Sequence, residues 1–441
     1  MPACRVLYYV RAAPVEMLGS FVDVFDAELR CTLEDILGYR LSESAWDQAA
    51  LGVKGGGLGL TRGSDIADAA YIASRAQAYE GCVGLDPGHL WDDGLDREGP
   101  EEVIGEWLGS AVSRYDRSVP PQTRLRGMGR SVVGKQALLV GRVQEQSRDR
   151  LRAGVGQWDT ARLEAVAAPH AGAWLDAPPS RVQDMRLTNE EVSSRVGRRL
   201  GVELCEEAPC PFCFGIMDRW GAHAECCMSG GDKTYAHHIL RNRVYGQSKG
   251  ARAAPVLEAA GVLGTLGVHA DAAEQGRERP ADVLLCNAAD IRVGTVGAPV
   301  GKVALDIGVV CPQAGVHIAA AQERLGAAEA YVVTKCGRAN MEERCRQAGV
   351  VFQPMIFESL GGVSVEAEGV IKSLNRMFAV NQSTPYGDVA TRFWQRLSID
   401  IQRAGHRAFI RRVKGREEFG ARGGMERLIL GGALLELPEG Q

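Results

Sequence analysis

The chain has 441 residues, 45% hydrophobic and 24% charged, with 51 basic against 55 acidic side chains and a formal net charge of −4. That length and composition support several packed domains and exclude wholesale disorder, while the mild acidity excludes a dedicated basic coat for nucleic acid. Any contact with phosphate must therefore come from local patches, where a few arginines still release counterions.

Met1 to Leu18 has no apolar signal-peptide core, because Arg5 and Arg11 interrupt it, and no apolar run approaches the ~18 residues of a membrane span. An intracellular protein with no membrane partner is expected. Leu18, Phe21, Val22, Phe25, Leu29 and Leu33 recur at helical spacing and predict an amphipathic helix with one buried face. Glycines in the run Gly55-Gly56-Gly57-Leu58-Gly59-Leu60 predict a tight turn before an alanine-rich helix over Ser64–Ala78. Acidic and proline signals without apolar periodicity mark linkers over residues 85–103 and Ser118–Gln122, and a further break covers Ala167–Ser180. Thr188 followed by Glu191 reads as a capping box that opens a helix ending at Leu200.

Twelve cysteines in an intracellular chain argue against a disulfide framework, and Cys205, Cys210, Cys213, Cys226 and Cys227 crowd one short segment. Cys210, Cys213, His223 and Cys227 form a Cys-x2-Cys-x9-His-x3-Cys pattern, the paired soft ligands that tetrahedral zinc requires. Cys226 is an alternative to Cys227, and Cys205 is a possible outsider. A redox Cys-x-x-Cys pair is the competing reading, but Pro209 and Pro211 break the regular structure such a pair occupies, and it has no use for His223. Four protein ligands leave zinc no open position, so this is a structural or nucleic-acid-contacting element rather than a catalyst. Cys31, Cys286, Cys311 and Cys345 read as small buried residues.

After Pro280 the pattern becomes α/β: strands over Val283–Cys286 and Val303–Val310, helix over most of Ile318–Ala348, and a strand over Val350–Glu358. Alternation puts Val303, Leu305, Ile307 and Val309 on one face and Lys302, Ala304, Asp306 and Gly308 on the other. Asp306 is then a carboxylate on an otherwise apolar strand, with small neighbours leaving room beside it. Together with Asp282 on an adjacent strand it can hold magnesium, and Lys335 or Lys302 can stabilise charge on a cleaved phosphodiester. The plain alternative is Asp282 as a turn residue and Asp306 as a salt-bridge partner.

The stretch Trp46-Asp-Gln48 through Leu60, the knuckle Cys210 to Cys227 with Gly230-Gly231, and Arg279-Pro280-Ala281-Asp282, Asp306 and Phe352-Gln-Pro354 to Gly361-Gly362 carry a resemblance. Over roughly residues 5–415 the chain resembles the region after the polymerase in non-LTR retrotransposons with a restriction-enzyme-like endonuclease. The resemblance implies a type II restriction-enzyme fold, with Asp282 and Asp306 binding magnesium or manganese, Lys335 as the displaced catalytic lysine, and DNA, possibly with RNA, as partner. Where many relatives have Arg-His-Asn after the knuckle, this chain has His237-His238-Ile239. No reverse-transcriptase Asp-Asp motif is present, so a parent polymerase supplied separately is expected.

The expected fold class is mixed: a mainly α-helical N-terminal half, a small zinc knuckle, then an α/β restriction-endonuclease-like domain. The expected divisions are a thumb-like helical remnant (1–84), a helical connector (85–200), the knuckle (201–245), the nuclease domain (246–375), and a basic C-terminal helix and tail (376–441). On that helix Arg396, Arg403, Arg407 and Arg411 share a face that can track a phosphate backbone or simply be solvated. The functional expectation is a metal-dependent DNA endonuclease fragment located in the nucleus. The alternative is a non-catalytic zinc-dependent nucleic-acid-binding protein or a decayed reading frame.

Overall fold

Helical periodicity early in the chain and strand alternation late in it yield two units, Met1–Val155 and Gly156–Gln441. The computed structural model describes residues 2–86, 106–125, 133–259, 262, 281–293 and 301–420. Most of the linker expected over 85–103, together with Arg279 and Pro280, lies outside the described residues. At this level the architecture is mixed, helix-rich with a small mixed sheet. The boundary falls inside the segment 85–200, so residues 156–200 pack with the C-terminal unit.

The first unit contains α1 (Pro2–Ala12), a single turn Val15–Leu18, α2 (Phe21–Leu37), α3 (Glu43–Ala50), α4 (Gly63–Leu85), α5 (Glu106–Ser118) and α6 (Gln136–Ala153). Ser42 caps α3 by accepting the Ala45 N–H, and the Asp26 carboxylate accepts the Gly63 and Ser64 N–H groups at the start of α4. The alanines of α4 let it be buried on two sides: Ala67 and Ala70 pack with Val6, Val10 and Val22, while Ala69 and Ala73 pack with Leu108, Tyr115 and Leu139. The apolar face of α2 is narrower than its periodicity predicts. Of the predicted stripe, Val22 is buried and Phe25, Leu29 and Leu33 are half-buried, but Phe21 is exposed. Between α3 and α4 the expected glycine turn is present, and a Cβ at Gly57 would lie 2.0 Å from the Leu51 carbonyl oxygen.

The second unit runs α7 (Gln157–Val166), α8 (Asn189–Leu200), β1 (Ala208–Pro209), β2 (Ile216–Met217), α9 (Ala222–Cys226), α10 (Asp232–Gly250), β3 (Pro255–Leu257), β4 (Val283–Leu285), β5 (Val303–Val310), α11 (Gly326–Gly337), α12 (Met341–Gln347), β6 (Val351–Glu358), α13 (Val365–Asn381) and α14 (Tyr386–Gly420). The capping box is formed at α8: Thr188 Oγ1 accepts the Glu191 N–H at 3.1 Å, and Glu191 Oε2 accepts the Thr188 N–H at 2.7 Å.

Strands β3, β4, β5 and β6 make one sheet in that order, antiparallel except for the parallel β5–β6 pair. A parallel pair needs a crossover, which α11 and α12 provide. The alternation in β5 follows the expected faces. Val303, Leu305 and Ile307 pack with Leu240, Ile371, Leu374 and Leu397 of α10, α13 and α14, while Ala304 packs with Cys345 and Phe352 on the opposite face. Among the described residues, no helix is long and apolar enough to cross a membrane.

A buried charge cluster fastens the edges of this unit. Glu225 on α9 accepts from Arg195 Nη1 at 2.8 Å, Arg198 Nη2 at 3.1 Å and Ser359 Oγ at 2.8 Å, and Arg195 Nε donates to Gln402 Oε1 at 2.9 Å. Three separate stretches of chain, α8, α9 and the turn after β6, thus meet at one carboxylate, and Arg195 links them to α14. Burial opposes its ionisation, but the Arg198 and Arg195 guanidiniums outweigh this and hold it below the usual carboxylate range. Glu225→Ala leaves two guanidiniums buried without a counter-charge and should cost about 3–5 kcal/mol in urea unfolding of the full chain. Removal of the exposed Arg346–Glu343 pair by Arg346→Ala should cost no more than about 0.5 kcal/mol in the same assay.

Candidate functional site

The knuckle is built on a short ribbon. Pro209 pairs with Ile216, the Cys210 N–H donates to the Gly215 carbonyl at 2.7 Å, and the Phe214 N–H donates to the Cys210 carbonyl at 2.9 Å. This tight return puts Cys210 and Cys213 on one turn. The other two ligands ride on α9, whose start is capped by Asp218 through the N–H groups of Trp220, Ala222 and His223. Gly221, at φ +79°, permits the entry, and a Cβ there would strike the Phe409 ring at 2.7 Å.

The sulfurs of Cys210, Cys213 and Cys227 and a ring nitrogen of His223 all lie within 4.8 Å of one another. Tetrahedral zinc at ~2.3 Å from each sulfur places its sulfurs roughly 3.8 Å apart, so this cluster can hold a metal ion such as zinc. Burial opposes the Cys210 thiolate, yet backbone N–H groups of Phe212 and Cys213, with His223 and Cys213, draw the thiol down to about 6. Cys213 Sγ lies 3.3 Å from His223 Nε2, so Nε2 is the nitrogen that faces the sulfurs. Cys226 stands outside the cluster: its side chain is hydrogen-bonded to Cys311. Cys205 is also outside, with its thiol on the Asp218 and Arg219 carbonyls. Of the other cysteines, Cys311 and Cys345 are buried as expected, whereas Cys31 and Cys286 are exposed.

The second constellation lies on the sheet. Asp282, immediately before β4, is locked to β5 by its backbone, with its N–H on the Leu305 carbonyl at 2.9 Å, and by its side chain, with Oδ2 accepting the Ile307 N–H at 2.7 Å. Asp306 projects from β5 between Ala304 and Gly308. A Cβ at Gly308 would lie 2.7 Å from Ile356 and 3.0 Å from the Tyr331 ring, so glycine lets α11 approach closely. Lys335, one turn beyond Tyr331 on α11, then reaches both Asp306 oxygens, at 2.9 and 2.8 Å. The three residues singled out from the sequence therefore converge. Lys302 is exposed at the foot of β5 and makes no such contact.

His237 joins them and was not anticipated as a site residue. Its Nε2 lies 3.0 Å from Asp282 Oδ2, so α10 on one side of the sheet and α11 on the other each bring a nitrogen to one of the two acids. No motif identified it; only its place where many relatives of the resembled family carry Arg-His-Asn marked the position.

The two acids are not equivalent. Burial works against ionising Asp282, but His237 and the Ile307 N–H outweigh it and hold this carboxyl below its ordinary range. Burial also disfavours the Asp306 carboxylate, and with Asp282 alongside, Lys335 does not compensate, so Asp306 is pushed up. The two acids titrate as a pair, each with a nitrogen beside it, so Asp306 is a salt-bridge partner of Lys335 as well as a candidate cation ligand.

Three of the four arginines expected on one face of α14 are engaged internally, while Arg396 has its Nε buried without a hydrogen-bond partner. Arg411 Nη1 and Arg412 Nη1 pair with the buried Asp232 at 2.7 and 2.8 Å, Arg407 lies 3.4 Å from the same carboxylate, and Arg403 donates to the Asp184 and Arg186 carbonyls. The guanidiniums of Arg411 and Arg412 also lie over the Phe212 ring, between the first two knuckle cysteines. The phosphate track expected there is in the first place a brace between α14, α10 and the knuckle. No family model matches the chain, and no curated protein is significantly similar to it.

The purified protein should carry about one zinc per chain by elemental analysis, falling well below half in Cys213→Ser or Cys227→Ser. Cys226→Ser should leave the zinc content unchanged; loss of metal there would return Cys226 to the ligand set.

Proposed function

We propose that the C-terminal unit is a metal-dependent DNA endonuclease that hydrolyses phosphodiester bonds, and that the chain derives from the post-polymerase region of a non-LTR retrotransposon. The observation that carries this reading is the meeting of Asp282, Asp306 and Lys335 at the centre of the sheet. A mixed sheet with acids on adjacent strands and a lysine from the crossover helix is compatible with a restriction-enzyme-like domain. The knuckle is then a structural zinc element beside the nuclease, and a DNA-cutting role would bring the protein to the nucleus.

The donor set suits magnesium or manganese, hard ions that take one or two carboxylates and complete their shell with water and phosphate oxygens. When bound, such an ion supplies a more acidic water and neutralises charge on the cleaved phosphate. The chain's own groups do the rest. Lys335 Nζ, held on Asp306, is positioned to offset the negative charge that develops on the phosphoryl oxygens. Ile307 N–H and His237 both engage Asp282 Oδ2, which fixes the plane of that carboxylate.

Supercoiled plasmid incubated with the full chain and magnesium or manganese should be nicked. Asp306→Ala and Asp282→Ala should each lower the rate on the order of 100-fold or more. Absence of nicking by the wild-type protein, or nicking untouched by both substitutions, would refute the reading. Binding without cleavage would instead favour a non-catalytic zinc-dependent nucleic-acid-binding protein.

His237 gives a finer test. Gln at this position can present an amide nitrogen to Asp282 and should keep activity within about threefold, whereas His237→Leu should lose about tenfold or more. Equal losses in the two variants at unchanged thermal stability would remove His237 from the positioning role.

A further inference from the structure

Three arginines elsewhere on the second unit contrast with the internally paired set on α14. Arg252 follows the end of α10, Arg292 lies in the segment after β4, and Arg376 is on α13; all three are exposed and line one groove of about 770 Å³. Among the described residues, none of the three is ion-paired, and Asp290 is the one acid lining the groove. The frame around them is well tied. Asn287 donates to the Arg252 carbonyl at 3.1 Å, the Arg292 N–H donates to Ser373 Oγ at 3.3 Å, and the Arg376 guanidinium sits 5.7 Å from the centre of the Tyr386 ring. The positive charges therefore come from three elements tied to one another by hydrogen bonds between side chain and backbone, not from one solvated helix face.

We infer that this groove, bounded by Arg252, Arg292 and Arg376, is a second nucleic-acid contact that holds the phosphate backbone of the DNA duplex beside the bond to be cut. The inference rests on the endonuclease reading and extends it to how the substrate is held. Guanidiniums on three walls of so wide a cleft suit successive phosphates along a backbone better than one small anion. The spacing also fits. Asp282 precedes β4 and Asn287 follows it, so Asp282 and the near edge of the groove are separated by at most roughly 17 Å of extended chain, on the order of five base-pair rises at about 3.4 Å each. That distance is within the length of one short duplex. Arg407 and Arg411, by contrast, share the Asp232 carboxylate with Arg412.

The test is fluorescence anisotropy with a short labelled DNA duplex in calcium, which occupies oxygen sites while the knuckle keeps its zinc, over a series of salt concentrations. Replacing Arg252, Arg292 and Arg376 together by alanine should weaken binding about tenfold or more and reduce the steepness of log K against log salt by about three; each single alanine should reduce it by about one. The corresponding triple lysine variant should keep most of the wild-type slope, because it retains the charge. Arg346→Ala, which removes an exposed arginine outside the groove, should also bind with the wild-type slope. A triple alanine variant that is folded, carries zinc and binds with wild-type affinity and slope would overturn the inference while leaving the endonuclease reading intact. Wild-type protein that fails to bind the duplex at all would overturn both.

Discussion

The second unit depends on the pairing of Arg195 and Arg198 with Glu225 in a deeply buried site. Two buried guanidiniums are tolerated only because one carboxylate faces both, and that carboxylate sits on α9, one residue from Cys226 and two from the knuckle ligand Cys227. The knuckle is consequently not an appendage on a flexible linker. Its helix is nailed to α8, to the turn after β6 through Ser359, and through Arg195 to Gln402 on α14. A few residues later Asp232 repeats the device, with Arg411 and Arg412 clamping the first turn of α10. Because α10 is fixed at that end, His237 is delivered to Asp282 in a set position. A metal-binding loop and a sheet-based acid cluster are thus mechanically connected, although they share no ligand.

The acid cluster follows from ordinary strand chemistry. A strand buried on both faces has no room for a carboxylate unless its neighbours are small and a counter-charge is near; Ala304 and Gly308 meet the first condition and Lys335 the second. The short β4 begins just after Asp282, which accepts a backbone N–H from β5, so the second carboxylate is held by the sheet itself. Charge in an otherwise apolar core is costly without such partners, and here each acid has one.

Much of this was legible in the sequence where a local rule operates alone. The alternation of Val303–Val310 sorted its side chains correctly between the two faces of the sheet, Thr188 and Glu191 formed the capping box, and the spacing of Cys210, Cys213, His223 and Cys227 brought four donors together. What escaped was decided by tertiary contact. His237 lies on a helix whose polar residues give no sign of which one will face Asp282. The arginines of α14 share a face, as their spacing requires, but only the fold shows that Asp232 and the Asp184 and Arg186 carbonyls occupy that face. β3 is three residues long and follows Ala253-Ala254, too short for a periodicity to register. The division after Val155 was equally hidden, because helices on both sides of it carry similar composition.

The claim at the centre of this account is that Asp282 and Asp306 together hold a divalent cation. Crystals grown with manganese and measured near its absorption edge test it most directly. The account predicts an anomalous peak between the two carboxylates, within about 2.0–2.4 Å of an oxygen from each, that vanishes in Asp306→Ala. A structure at full manganese occupancy elsewhere, with no peak at this place and Lys335 still bridging both Asp306 oxygens, would contradict it.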